Sequence, residues 1–461
     1  MNARQQGQPD RFASLTAMGP TLILCAVGIL LPNALSLISL AAGIGVPPRT
    51  AAIVAYAAVV LISRLVPFRA TLALFLAVVA YDVISTVALA FGLAPQEIVT
   101  ALHLLVALKP LASPLYLALG AGLALLLAAN VFALRSFRSG MRRGNPAALA
   151  GAALLLAGVD VVANTSPHYE FGTLYAAGKP MESAAEDSGF RRGITAGRDR
   201  HALLVLVEAL GRFADPAHQA LLLKPFDAPA LRDRFDVSFG ETTYYGSTTA
   251  AEMRELCGTR APYQDVVDGE AFDCLPEQLA RRGYRTLALH NFTEAFFDRR
   301  EWYPGLGFQD GIFGEDLGPR FAARCGGPFR GPCDRDVVAV IAQELRQATT
   351  PTFAYWLTFS THVPIAPGEG TPRLGCEADG GPIGHVEVCQ MTELWLDVFE
   401  GIARMAAELP PTEILIVGDH APPLWSRAGR GLFSPGKVSW IRLTPKSGRG
   451  GGPAGSAREQ R

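Results

Sequence analysis

Four apolar segments in the second half of the chain each end on residues able to bind a metal or move a proton. HALLVLVE ends on Glu208, YRTLALH on His290, FAYWLTFSTH on His362, and EILIVGDH on Asp419 and His420. Carboxylates and imidazoles are costly to bury alone, and a divalent cation is one partner that offsets the cost. One strand ending in histidine is ordinary; several delivering Glu, His, His and Asp-His point to a shared site. A further segment, GETTYYGSTTAAEMRELCG, supplies a hydroxyl. Its Gly-Ser-Thr-Thr turn runs into a good helix former, which places Thr248 at or just before a helix N-terminus. Unpaired N–H groups and the helix dipole there favour negative charge on an alkoxide or an attached phosphoryl group. The plainer role for Ser247 or Thr248 is an N-cap.

These groups can meet only if the elements carrying them share an edge. Strands are expected at Ala202–Val207, Tyr284–Leu289, Phe353–Phe359, Glu413–Val417 and Val438–Leu443, and helices at Thr249–Cys257, Pro276–Arg282, Asp334–Gln347 and Val386–Leu409. Strand alternating with helix is the pattern of an α/β domain with a largely parallel sheet. In such sheets the ligand crevice lies outside the carboxyl ends of the strands, where the four motifs fall.

The first third of the chain is different in kind. Almost no acidic residues interrupt the apolar runs Thr21–Gly43, Thr50–Val66, Thr71–Gly92, Pro114–Leu134 and Pro146–Ala163, which read as about five membrane spans. Glu97–Leu111 carries Glu97, His103 and Lys109 and reads as an interfacial or re-entrant helix. Arg4, Arg11, Arg64, Arg69, Arg135, Arg138, Arg142 and Arg143 all fall in connections on one side, which makes that side cytoplasmic. The expected division is a transmembrane part at 1–163, a linker at 164–200, an exterior α/β domain at 201–445 and a disordered tail at 446–461. With 41 basic and 42 acidic residues, nothing points to a nucleic-acid partner.

Cys25 lies within a span, whereas Cys257, Cys274, Cys325, Cys333, Cys376 and Cys389 all fall in the exterior part. An even set in an oxidising compartment predicts disulfides, and short separations favour 257–274, 325–333 and 376–389. No CxxC or Cys/His spacing supports zinc at these positions. Asn164-Thr165-Ser166 matches the glycosylation sequon, a pattern short enough to occur by chance.

Taken together, these motifs resemble the alkaline-phosphatase superfamily, and within it the membrane-bound sulfatase-like transferases typified by lipoteichoic acid synthase. LLVLVEALGRF is similar to the strand carrying the first metal carboxylate, GSTTAAEM to the nucleophile turn Gly-x-Thr-x-x-x-Glu, and GDHAPP to the Gly-Asp-His metal motif. LHNFTEAFFDRREWYPGLGF and FSTHVPI resemble the two substrate-side segments. The resemblance implies one divalent metal, Mn or Zn, held by Glu208, Thr248, Asp419 and His420, with Thr248 as nucleophile. His290, Phe297, Arg299 and His362 fall to substrate binding, with His290, Arg299 and His362 binding the phosphate oxygens and protonating or deprotonating the leaving and accepting oxygens.

The implied reaction moves a phospho-head group, phosphoglycerol favoured, from a membrane phospholipid to an envelope glycan or lipid through phospho-threonine. Phosphoethanolamine transfer and hydrolysis are the alternatives, and the implied location is a bacterial inner membrane with the catalytic domain periplasmic or extracellular. Phe297 departs from the tryptophan of the Gram-positive synthases. The phosphoethanolamine transferases match less well around Thr248, although several disulfides are more like them. A formylglycine sulfatase needs C/S-x-P-x-R, whereas CLPEQ at Cys274 ends in Gln278.

Overall fold

The computed structural model describes residues 19–91, 98, 114–164, 180–197, 200–327 and 329–446. The expected helix at Glu97–Leu111 and the tail beyond Lys446 lie outside the described residues, Ile98 and Lys446 themselves excepted.

Three helices in the first third are long and apolar enough to cross a bilayer: Phe68–Ala90, Tyr116–Ser136 and Pro146–Asn164. The first expected span is instead a broken pair, Gly19–Leu30 and Ala34–Ala41, bent by 74°. Pro32 cannot donate a backbone N–H at the break, and the Asn33 amide turns back to the Ile29 carbonyl at 2.8 Å. Thr50–Ile62, expected as a span, is a 13-residue helix reaching only about 20 Å against a ~30 Å hydrocarbon core. Among the described residues the count by length and composition is three, or four with the broken pair. Thr50–Ile62 still runs from one end of the bundle to the other. It starts at Arg49, close to the α/β domain, and ends where Arg138 takes the Ser63 and Val66 carbonyls. Arg64 meets the Arg142 carbonyl at that same basic end.

The α/β domain is built on ten strands among the described residues: β1 His201–Val207, β2 Gly211–Phe213, β3 Phe235–Thr243, β4 Arg285–His290, β5 Asp310–Ile312, β6 Arg324–Cys325, β7 Gly331–Pro332, β8 Thr352–Leu357, β9 Thr412–Gly418 and β10 Phe433–Pro445. Sheet order is β2-β10-β9-β1-β8-β4-β5, with β3 also on β10 and β6–β7 a separate ribbon. Strands β9, β1, β8, β4 and β5 run parallel, and β10 is antiparallel to β9, β2 and β3. Strand β1 is apolar throughout because both its faces are covered. Leu203, Val205 and Val207 enter the core under helices Asp334–Gln347 and Val386–Glu408, while Ala202, Leu204 and Leu206 enter the core under Thr248–Cys257.

Register sets the level at which each strand stops. Val207 pairs with Gly418, Leu206 with Leu357, and Leu357 with His290. Glu208, Asp419, the Thr358–His362 segment and His290 therefore leave the sheet together. Cys257–Cys274, Cys325–Cys333 and Cys376–Cys389 are bonded.

The expected linker is partly structured. Ala184–Asp187 and Phe190–Ala196 are short helices, with Ala184, Ala185, Phe190 and Ile194 fully buried. Their partners come from far along the chain: the Glu255 carboxylate accepts from Ser183 Oγ, Ala184 N and Ala185 N at 2.9, 3.2 and 2.8 Å. No local periodicity could announce such contacts. Strand β3 is not among the expected strands, because FDVSFGETT is an edge strand with an exposed, polar face.

Gly418 closes β9 where no side chain fits, since a Cβ there would lie 2.0 Å from the Leu210 carbonyl oxygen. Gly418→Ala is expected to cost about 2 kcal/mol or more, read as a fall in the unfolding midpoint of the detergent-solubilised chain. An unchanged midpoint would contradict this packing.

Candidate metal centre and nucleophile

Thr248 is the first residue of helix Thr248–Cys257, behind Gly246 in the left-handed region (φ 67). The first described intrahelical bond at this end is Ala251 N to Ser247 O, so the amides before it are open to a ligand. The Ser247 side chain does not cap the helix and sits 3.2 Å from Thr249 Oγ1. Thr248 Oγ1 instead faces Glu208 Oε2 at 3.4 Å and His420 Nε2 at 3.5 Å. His420 Nε2 lies 3.7 Å from Glu208 Oε1 and 3.4 Å from Asp419 Oδ2. Ligand atoms of Glu208, Asp419 and His420 all lie within 4.8 Å of one another.

Asp419 is fully buried and its two oxygens differ. Oδ1 accepts from Ala209 N at 2.7 Å and His420 N at 2.6 Å. Oδ2 has no hydrogen-bond partner. An orphaned carboxylate oxygen beside a second buried carboxylate, an imidazole nitrogen and a hydroxyl is a donor set that fits one divalent cation. Burial, and Asp419 beside it, push the Glu208 carboxyl well above the usual carboxylate range, with Arg299 opposing. A cation at this point would reverse that cost.

The three histidines at the sheet edge share one orientation. Nδ1 faces a backbone carbonyl in each: Leu357 at 3.2 Å for His290, Val363 at 3.0 Å for His362, and Ala421 at 3.0 Å for His420. A carbonyl only accepts, so Nδ1 carries the proton and Nε2 presents a lone pair. On His420 that lone pair could bind a metal ion, and on His290 and His362 it could accept a proton. Burial, then the Arg299 charge, lowers the His290 pKa well below the ordinary value, and burial above all lowers His362 to about 4. Both shifts favour the neutral ring.

Arg299 also sits differently from expectation. It is buried, with Nη2 on Glu252 Oε2 at 3.0 Å and Nη1 on the Phe296 carbonyl at 2.8 Å. Its charge is largely matched by Glu252, which also accepts from the Tyr303 hydroxyl and from Tyr355 at 3.0 Å. Phe297 and Asp298 both take left-handed backbone (φ 55 and 54), a strained pair that Trp302 Nε1 holds through the Phe297 carbonyl at 2.9 Å. The Phe297 ring packs edge-on to Tyr263 and near the Arg299 guanidinium. Structure therefore gathers Thr248, Glu208, Asp419 and His420 at one point. The Phe297–Arg299 segment is tied to the same helix through Glu252.

Several positioning residues had no signal in sequence. Arg254, fully buried, runs from the nucleophile helix to the Gly418 carbonyl at 2.8 Å and the Asp419 carbonyl at 3.2 Å. It so links the helix of Thr248 to the strand of the metal motif. Thr358 Oγ1 accepts from Glu208 N at 2.9 Å, while Thr361 and Trp395 donate to the Glu208 carbonyl at 2.6 and 3.3 Å. Asp334 accepts from Asn291 Nδ2 and from the amides of Phe359 and Ser360, holding the two histidine-bearing loops together. Adjacent opposite charges at Arg254-Glu255 were a visible hint. His385 accepts from Val388 N at the start of helix Val386–Glu408.

A family model described as Sulfatase matches residues 204–377, a stretch that lies within the α/β domain. Among solved structures the chain is similar to the lipoteichoic acid synthase LtaP from Listeria monocytogenes, at 14% identity over 56% of this chain and 71% of that one, TM-score 0.42. It is similar to the phosphoglycerol transferase GacH from Streptococcus pyogenes, in complex with sn-glycerol-1-phosphate, at 15% identity over 56% and 73%, TM-score 0.38. It is similar as well to the C-terminal periplasmic domain of EcEptC from Escherichia coli, at 12% identity over 55% and 75%, TM-score 0.35. No curated protein matches.

Two outcomes check this site. Adding Mn²⁺ or Zn²⁺ to chelator-treated protein is expected to raise the unfolding midpoint, by about 2.7 kcal/mol equivalent at a hundredfold excess over Kd. Glu208→Gln and Asp419→Asn should each remove that rise; a rise that persists in both excludes these ligands. Asp334 is fully buried and burial raises its carboxyl to about 6. A raised carboxyl favours the folded state below the unfolded value and loses that advantage as pH climbs through the folded one. Wild type should therefore gain on Asp334→Asn as pH falls from 7 to 4, by on the order of 2–3 kcal/mol. A pH-independent difference in denaturant unfolding would refute it.

Proposed function

We propose that this chain is a metal-dependent phosphotransferase of the bacterial inner membrane, acting on the outer side. It moves a phospho-head group, phosphoglycerol favoured, from a membrane glycerophospholipid to a hydroxyl of an envelope glycan or lipid. The observation that carries this reading is Thr248 Oγ1, at a helix N-terminus, within 3.4 and 3.5 Å of Glu208 and His420 and beside the partnerless Asp419 oxygen.

Glu208, Asp419, His420 and Thr248 would hold one divalent cation, which supplies a lower hydroxyl pKa and Lewis acidity toward a phosphoryl oxygen. Thr248 Oγ forms the bond to phosphorus as the bond to the diacylglycerol oxygen breaks. The proton of Thr248 ends on that leaving oxygen, so diacylglycerol departs neutral. Amides at the start of the Thr248–Cys257 helix receive the charge of the phosphoryl oxygens. In the second half an acceptor hydroxyl attacks, its proton passes to Nε2 of His290 or His362 and then to Thr248 Oγ, and the threonine is regenerated. With both rings neutral, the residues suit proton acceptance in this half.

The test offers vesicles of labelled phosphatidylglycerol or phosphatidylethanolamine to the metal-loaded full chain. Diacylglycerol release and label on Thr248 are expected from phosphatidylglycerol. Thr248→Ala should lose at least about a thousandfold, the scale of nucleophile deletion. Release that survives Thr248→Ala defeats the mechanism, and label from phosphatidylethanolamine alone changes the head group.

A further inference from the structure

The metal motif does not end at His420. The chain continues as Ala421-Pro-Pro-Leu-Trp-Ser-Arg, and this loop docks on the membrane bundle. Ile44 and Ser426 form an antiparallel bridge, Gly45 N donates to the Trp425 carbonyl at 2.7 Å, and Arg427 N donates to the Gly43 carbonyl at 3.1 Å. The Arg427 side chain reaches past this ladder, with Nη2 on Asn164 Oδ1 at 2.9 Å and Nε on the Ile44 carbonyl at 3.3 Å.

From there the bonds run into the bundle. Asn164 Nδ2 donates to Asp160 Oδ1 at 2.9 Å, and Asp160 Oδ2 accepts from Arg49 N at 2.8 Å and Thr50 Oγ1 at 2.7 Å. Arg49 Nε meets Asp82 Oδ1 at 2.8 Å, and Tyr56 donates to Asp82 Oδ2 at 2.9 Å. Asn164, Asp160 and Asp82 are buried. Ionisable groups on apolar membrane helices persist only where a partner or a function holds them. Asn164, part of the sequon, is also spent here and not open to a glycan.

We propose that the Arg427–Asn164–Asp160–Arg49–Asp82 chain is a positioning device that sets the height and tilt of the metal centre over the bilayer. Arg427 lies seven residues after His420 on the docked loop, so the active-site edge and the membrane helices move as one body. Trp425, half exposed beside the bridge, suits the headgroup layer. Arg49 and Asp82 also line a cavity with Ser39, Val46, Thr86 and Leu127, so the network walls a space within the bundle. The device matters for a substrate whose phosphate is held at a fixed depth by its acyl chains, and not for one that diffuses in water. This inference rests on the lipid-donor reading above, while the docking itself is testable without activity.

The first experiment is geometric. Residues paired across an antiparallel ladder stand about 4.5–5.5 Å apart at Cα, within disulfide reach. Ile44→Cys/Ser426→Cys in the full chain in membranes should cross-link on oxidation, and Arg427→Gln in that background should lower the yield. Absence of the cross-link overturns the docking. The second compares kcat and KM on phosphatidylglycerol vesicles with turnover of a water-soluble chromogenic phosphodiester. Arg427→Gln and Asp160→Asn should lose about tenfold or more on vesicles and less than about twofold on the soluble diester. Arg427→Lys should recover part of the vesicle rate, and the oxidised double-cysteine chain should restore it in the Arg427→Gln background. Equal loss on both substrates, or no loss on either, overturns the positioning role. If wild type shows no Thr248-dependent release from any lipid, the functional reading falls while the cross-link still decides the docking.

Discussion

Two carboxyl groups buried side by side are the constraint on which the rest of the domain depends. Glu208 and Asp419 leave adjacent parallel strands at paired positions, so β-sheet register alone forces them together. Like charges in a dry site repel, and Oδ2 of Asp419 accepts no hydrogen bond. Such a pair is stable only with a cation between its oxygens or a proton on one of them. A fold that keeps this arrangement keeps it for what binds there.

The surroundings show how much of the domain serves to hold that pair still. Backbone groups of Glu208 are taken by Thr358, Thr361 and Trp395, from two other elements. The Asp419 carbonyl is taken by Arg254, which belongs to the helix that opens with Thr248. Asp334 does the same for the loops that carry His290 and His362. Thr248, Glu208, Asp419 and the loops of His290 and His362 are therefore fixed by buried hydrogen bonds, where the loss of a partner is costly because water cannot replace it.

That set also explains the relation to the bilayer. The loop leaving His420 is pinned at one end by the metal motif and at the other by backbone pairing with Gly43–Gly45. A short, tied connection carries orientation where a long flexible linker would not. The polar residues inside the membrane bundle form one series in which each is a partner of the next, ending at the α/β domain.

Much of this was legible in the primary structure, for definite reasons. Central parallel strands are apolar on both faces, so β1, β8 and β9 appear as unbroken Val, Ile and Leu runs, and the residues that end them stand out. The Gly-Ser-Thr-Thr turn announces a helix start by local chemistry. Cysteine separations were short enough to pair. By contrast, the packed 183–196 segment and the duties of Arg254, Asp334 and Arg427 were decided only in three dimensions. Each depends on a partner far away in the chain, and no local pattern encodes the residue at the other end of a long-range hydrogen bond. The sequence alone determined which groups could do chemistry; tertiary structure decided which lone pairs face the site, because a histidine's tautomer and an arginine's free charge are set by neighbours that folding brings.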